Sequence, residues 1–452
     1  MSRSLSAVQA GELNKSILGY AEAQGKTTAA STLRAELNLG VDVFSTAKAL
    51  QYGQLLEKKW TTVSRLETRA KLEAKHAELE SQLECTVPAS KRQDPASWIP
   101  ASQPKFHLAS HTDSVNCVAF HHVFSSLASG SDDCTIKIWD WELGELERTI
   151  KAHTQAVRDV DFGGPKGAVL LASCSSDLAI KLWDPSDNYN NIRTLKGHGH
   201  AITSARFLPC HESDKTLLVS ASADRAVRLW NTTTGFCVKV LQGHSDWVRS
   251  VCPSDDGQFV LSASSDNTAC LWDIHSHSAE ATLTLIGHDK AINCCAIATR
   301  SSYQYLSSLA GSNMTLPLSN SAGFFATGSR DKSIKLWNAD GKCIATLLGH
   351  DSWVSALVFH PGGRYIFSAA DDKTLRFWDL NQKGQCVNVI PGVHEGFITC
   401  LRWIPEIKTL HGQNGAHARR ADASNSSTSA LPHFRCVIAT GGMDKKVKVF
   451  LG

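Results

Sequence analysis

"IATGGMDKKVKVFLG", residues 438–452, closes the chain, and its pattern decides the fold because six earlier stretches share it. Those stretches end on Trp139 with Asp140, Trp183 with Asp184, Trp230 with Asn231, Trp272 with Asp273, Trp337 with Asn338 and Trp378 with Asp379. Phe450 with Leu451 is a degenerate seventh. Six residues before each aromatic stands an aspartate: Asp133, Asp177, Asp224, Asp266, Asp331, Asp372 and Asp444. Ten before it stands a hydroxyl: Ser129, Ser173, Ser220, Ser262, Thr327, Ser368 and Thr440. Each unit opens on a histidine, at His111, His153, His198, His244, His288, His350 and His394. Seven complete sets at fixed offsets mark an internal repeat. Alternating apolar residues in phrases such as TIKIWD, set between Gly, Ser, Asp and Asn clusters, predict short antiparallel strands joined by tight turns.

The aromatics lie 41 to 47 residues apart except across two longer intervals. Over residues 105–452 these units resemble the WD-repeat family, which implies an all-β, seven-bladed propeller of four-stranded blades. Both excesses read as loops: SSYQYLSSLAGSNMTLPLSNSAG at 301–323, and a polar, Ser/Asn-rich insertion at about 408–431 expected to be disordered. Each outer strand should end about three residues before the next histidine, as Ile150 does before His153. KFHLASH repeats that phrase before His111, yet no inner strands precede it. Residues 105–108 should therefore pair as the missing fourth strand of the last blade, which removes an exposed sheet edge. On this reading Gly452 is expected to be no truncation.

Ser, His and Asp in every unit invite a hydrolase reading, but an enzyme needs one activated nucleophile in one cleft. A set repeated seven times serves the blades: the Asp holds the His, the His meets the hydroxyl, and the hydroxyl reaches the Trp indole N–H. We therefore expect no catalytic residues, no metal and no cofactor. GYAEAQGKTT has five residues between Gly19 and Gly25 where a phosphate loop has four, and a predicted helix precedes it. His275 and His277 lack further ligands at metal spacing.

The 452 residues are 42 % hydrophobic and 20 % charged, with 46 basic against 43 acidic side chains, so no broad polybasic field exists for nucleic acid or anionic membrane. No apolar run approaches the roughly 20 residues that span a bilayer, and the N-terminus lacks a signal-peptide core. A soluble intracellular protein is expected, its fourteen scattered cysteines reduced and mostly acting as small buried hydrophobes.

Residues 1–104 change to helical periodicity. Leu13, Ile17 and Tyr20 share one stripe; Ala29, Leu33 and Leu37 share another after a break at Gly25. Residues 1–41 resemble the LisH dimerisation motif at Leu13, Ile17, Tyr20, Ala30, Leu33 and Glu36, departing at Ala21. Residues 42–86 place Val63, Leu66 and Ala70 in one heptad phase and Leu72, Leu79 and Leu83 in another, which predicts a short coiled coil with a slip. Residues 87–104, with Pro88, Pro95, Pro100 and Pro104, read as an extended linker.

This order of parts, with LLEKKWTTV and SWIP, resembles the lissencephaly / nuclear-distribution family of cytoplasmic dynein regulators. The resemblance implies a non-catalytic homodimer whose propellers bind the motor's AAA+ ring and stalk, counter autoinhibition and alter microtubule attachment. It also implies a coiled-coil nuclear-distribution partner, roles in nuclear migration and spindle positioning, and a place in the cytoplasm, on microtubules and at the spindle pole. A LisH/WD scaffold in a transcriptional or ubiquitin-ligase complex is the alternative.

The residues themselves suggest a face. Three positions after each repeat histidine the chain reads Ser114, Ala156, Ala201, Trp247, Ala291, Trp353 and Phe397, so large aromatics fall only in blades four, six and seven. Before each repeat aspartate it reads Asp132, Ser176, Ala223, Ser265, Arg330, Asp371 and Met443, with the sole arginine in blade five. Arg249 and Lys373 join this arc, an aromatic and basic cluster suited to protein binding. The resemblance implies motor contacts at Arg249, Arg330, Trp353 and Lys373, while Ala223 departs from the arginine of close relatives. Packing roles for Trp247 and Trp353 are the competing reading.

Overall fold

The computed structural model describes residues 31–32, 98–122, 124–164, 169–209, 216–276, 278–311, 323–405 and 436–451. The chain divides into two units, Met1–Arg92 and Gln93–Gly452. In the first, residues 31–32 are helical and exposed; the dimerisation residues Leu13, Ile17, Tyr20 and Leu33, the coiled coil and GYAEAQGKTT lie outside the described residues. So does the insertion at about 408–431.

The second unit is the expected all-β propeller, seven four-stranded antiparallel sheets. The innermost strands are Val115–Phe120, Val157–Gly163, Ile202–Phe207, Val248–Pro253, Ile292–Ile297, Val354–Phe359 and Ile398–Trp403. Each packs beside the next, and the last returns to the first, so the sheets form a closed ring. Outer strands are mostly exposed, as in Glu145–Lys151, where only Arg148 is half-buried and Ile150 buried, because one edge and one face meet water. The core lies between blades. One cluster joins Ile136 and Ile138 of blade one to Val157, Val160 and Trp183 of blade two.

Phe106–Ala109 pairs antiparallel with Lys446–Leu451, setting Phe106 opposite Val449 and Leu108 opposite Val447. The Lys105 amide also donates to the Val449 carbonyl at 2.8 Å. Leu108 enters a cluster with Val115, Trp139, Val447 and Val449, so the strand is fastened by packing as well as by its ladder. Phe106 lies over Gly144 in the blade-one hairpin, whose φ is +74°; a Cβ there would stand 2.6 Å from the Phe106 ring.

Two sequence readings need correction. The interval after Thr299 is not all loop: a 3-10 turn at Arg300–Ser302 leads into an α-helix at Tyr303–Leu309. Its Leu306 is buried, and the Tyr303 ring meets Phe324 edge-on at 5.6 Å, so packing makes helical what reads as a loop. The end of the proline segment is also not a free linker. Pro100 is buried, and Trp98 and Ile99 pack on the cluster between blades six and seven, with Trp98 edge-on to Trp403 at 5.3 Å.

Candidate functional site

In all seven blades the repeat histidine Nδ1–H donates to the repeat aspartate at 2.7–2.9 Å. Its Nε2 meets the Ser or Thr hydroxyl at 2.7–2.9 Å. In six blades that hydroxyl also accepts the indole N–H at 2.8–2.9 Å; in the seventh, Phe450 has no N–H to give. These seven hydroxyls are 0 % exposed, so no substrate reaches them. The network fastens the loop entering each blade to its sheet.

Electrostatics follow from that geometry. Burial pushes the Asp133 and Asp444 carboxyls up, but hydrogen bonds from Thr135 and His111, and from His394, outweigh it and hold both at about 2. The other five repeat aspartates are lowered for the same reasons. Burial lowers His111, His153 and His288, helped by Lys137, Lys181 and Lys335. His244 goes the other way: burial opposes charging, yet Asp266 and the Cys270 sulfur raise it to about 9. Blade four carries Cys270 where the other three carry lysine.

The two rows read from the sequence form one rim. In each blade the amide before the repeat aspartate donates to the carbonyl three after the histidine, as from Arg330 to Ala291, Asp371 to Trp353 and Met443 to Phe397, each at 2.9 Å. Trp247, Trp353 and Phe397 stand 54 %, 43 % and 44 % exposed, so they are surface groups and not core packing. The Arg330 guanidinium stacks on Trp353 at 4.3 Å and donates Nε–H to Asn293 at 3.1 Å. Burial and the nearby Arg330 charge lower Arg249, whose Nε–H donates to Ser265 at 2.6 Å. Among the described residues no carboxylate comes within ion-pair distance of either arginine; burial raises Asp371 even beside Arg330. Lys373 is exposed two residues beyond Asp371, at φ 65° on the turn. Lys332 and Lys445 occupy the same turn position in blades five and seven and were missed, though their offset from the repeat aspartate marks them.

A third row also escaped sequence reasoning. Every inner strand carries a β-bulge near its start, which skips Asn116, Arg158, Thr203, Arg249, Asn293, Ser355 and Thr399. Five of these side chains donate to the first inner-strand carbonyl of the next blade: Asn116 to Val157, Thr203 to Val248, Asn293 to Val354, Ser355 to Ile398 and Thr399 to Val115. The last crosses the seam between blades seven and one. Arg158 and Arg249 instead lean on their own blade's rim, Nε–H donating to Ser176 at 3.0 Å and Ser265 at 2.6 Å. The signal was present, since all seven residues stand five after the repeat histidine.

These residues line a polar cavity of about 150 Å³ along the channel, whose lining also includes Arg206, Arg402 and one carboxylate, Asp159. Asp159 is held by Arg206 at 2.8 Å and Ser204 at 2.7 Å. Among the described residues no cluster of His, Cys, Asp and Glu could hold a metal, and no helix is long and apolar enough to cross a membrane. Twelve cysteines are described, all as free thiols.

Comparison with known proteins agrees with the architecture. Residues 102–140, 144–184, 189–231, 235–273, 279–338 and 341–379 match the WD domain, G-beta repeat, and residues 7–42 match the PAC1 LisH domain. The chain is 54 % identical over 460 residues, covering all of both chains, to a protein of Arthroderma otae called nuclear distribution protein PAC1. It is 50 % identical over 461 residues, again covering both chains fully, to nuclear distribution protein nudF 1 of Talaromyces marneffei. A nuclear distribution protein PAC1 of Gibberella zeae is 50 % identical over 463 residues with the same coverage.

Proposed function

The chain belongs to the lissencephaly / nuclear-distribution family of LisH and WD-repeat proteins, and from that premise we propose that it distributes nuclei by regulating cytoplasmic dynein. In this reading it is a non-catalytic homodimer, joined through the LisH segment, that works in the cytoplasm and on microtubules to the spindle pole. Its propeller docks on the motor's AAA+ ring and stalk, counters autoinhibition and alters microtubule attachment, with a coiled-coil nuclear-distribution protein as second partner. Two propellers on one dimer raise the effective concentration at a second motor site.

One observation carries the docking surface: Arg330 stacked on exposed Trp353 at 4.3 Å, beside Arg249 and without an ion-paired carboxylate among the described residues. A cation over an aromatic face contributes about 0.5–2 kcal/mol and holds the guanidinium fork ready for an acidic partner. Trp247 and Phe397 extend the surface on either side, and Lys373 adds charge at its edge. Aromatic anchors and arginines around an apolar patch are the usual makings of a hot spot.

The test is co-sedimentation of the full chain with purified dynein motor domain. Arg330→Ala with Trp353→Ala should abolish binding while circular dichroism, melting and dimer mass stay as in the parent. A double variant that binds normally places the docking surface elsewhere.

A further inference from the structure

The channel mouth holds charge that docking alone leaves unexplained. Five of seven bulge positions carry Asn, Ser or Thr, which staple one blade to the next; blades two and four carry Arg158 and Arg249 and make no such staple. Both arginines are held through Nε–H by a rim serine, Ser176 or Ser265, and Arg330 is held the same way by Asn293, itself a cavity residue. Fixing Nε on three blades orients three guanidinium planes, and Arg158 and Arg249 line the cavity while Arg330 stands on its Asn293 wall. Asp246 and Asp371 lie near Arg249 and Arg330 without an ion pair; Arg158 alone of the three has an acid within ion-pair distance among the described residues, Asp132 at 3.6 Å, and that pair is solvent-exposed and weak. Inside, Arg206 pairs with Asp159 and with Asp161 behind the lining, and Arg402 reaches Asp159, so the arginines Arg158 and Arg249 are the lining charges that these two carboxylates do not offset.

We propose that the channel mouth is a receptor for a small polyanion of the phosphate class, gripped by Arg158, Arg249 and Arg330. A cavity of about 150 Å³ is too small for a strand or helix and suits a compact anion. Forks arriving from three blades fit a tetrahedral group that offers several oxygens better than a flat carboxylate, which one fork satisfies. The site also has a regulatory reach, which rests on the docking reading above: Arg249 and Arg330 cannot serve anion and motor together, so an occupied mouth weakens motor binding.

The test titrates the full-length protein with inorganic pyrophosphate by calorimetry, with sodium chloride holding ionic strength constant. Saturable binding at one anion per propeller is expected, weakened about tenfold by Arg158→Gln and about tenfold by Arg249→Gln. Melting midpoints must not fall below the parent's, because both side chains are partly exposed and neither staples a neighbour. Absence of saturable heat, or parental affinity in the double variant, overturns the site. The regulatory half is read separately: pyrophosphate should release motor from the parent, and less so from Arg158→Gln, whose motor contacts are intact. Binding of the anion without release of motor overturns that half and leaves the site standing. A parent that never binds motor refutes the docking reading, and with it the regulatory half, while the titration still decides the site.

Discussion

Leu108 tests whether the ring is held at its seam by four residues drawn from the far end of the domain. The side chain is 2 % exposed and packs among Val115, Trp139, Val447 and Val449, whereas His107 next to it is exposed. Leu108→Ala removes buried methyl groups from a cluster that two blades share and cannot easily close, a loss of about 2–5 kcal/mol. At about 2 °C per kcal/mol for a large domain, the melting midpoint should fall by about 4–10 °C. Leu108→Asp should do more, since a carboxyl in that cluster detaches the strand and bares the edge of Lys446–Leu451. Hydrogen exchange reads this directly: amides of residues 446–451 should lose protection in Leu108→Asp while those of the blade-three sheet keep theirs. His107→Asp is the control and should change stability by no more than about 0.5 kcal/mol. If Leu108→Asp melts with His107→Asp, or its last strand stays protected, the strand is not what closes the ring.

Ser173→Ala leaves the Trp183 indole N–H and His153 Nε2 without their shared partner and should cost about 2–4 kcal/mol in urea unfolding, with motor binding retained; a cost below about 0.5 kcal/mol contradicts the network. Acid should act through two sets of groups. His111, His153 and His288 have lowered folded pKa values, so the unfolded chain takes up protons first and stability declines as pH falls below about 6.5. The seven repeat aspartates are lowered too, so their contribution is complete above about pH 4 and is lost as pH falls toward 2, while that of His244 is lost as pH rises through about 9. Urea midpoints across pH 2 to 10 check both signs, the acid losses and the alkaline one, and Asp133→Asn should flatten the profile below pH 4.

The propeller was legible because the chain offers seven samples of one pattern, so every offset from His to Asp to Trp could be checked against six others. The rim was legible for the same reason: Trp353 and Arg330 are found by counting, and one backbone hydrogen bond per blade turns two counted rows into one surface. Two failures had a single sample each. Tyr303–Leu309 contains one buried residue, Leu306, and the Ser-rich text around it reads as loop until Phe324 is beneath it. Trp98 and Ile99 looked like linker because the surrounding prolines dominate that text, and their pocket between blades six and seven exists only after folding. Arg158 was missed although it repeats with the rest. Its meaning depends on the bulge, and an arginine in a row of Asn, Ser and Thr is conspicuous only when the row is known to staple.

That substitution also says where the fold yields to function. A pseudo-sevenfold scaffold gives every blade the same backbone and the same buried His, Asp and hydroxyl network, so stability is carried by residues that hardly vary. Asymmetry then lives at positions facing the rim and channel, where side chains can change without disturbing a blade. Arg158 and Arg249 are exceptions to that freedom, because each occupies a place that elsewhere joins neighbouring blades, forgoing a hydrogen bond of about 0.5–1.5 kcal/mol. Both gather positive charge at an opening whose other arginines, Arg206 and Arg402, are already matched by Asp159 and Asp161. A local arrangement that lowers stability and adds like charges to a confined space is favoured by folding on neither count, so the binding of something negative at the mouth is the balancing term. Replacing both arginines with the prevailing residue, as Arg158→Asn with Arg249→Asn, should accordingly restore two staples and raise the melting midpoint while anion binding disappears. A double variant that is less stable than the parent would mean that the arginines serve the fold after all.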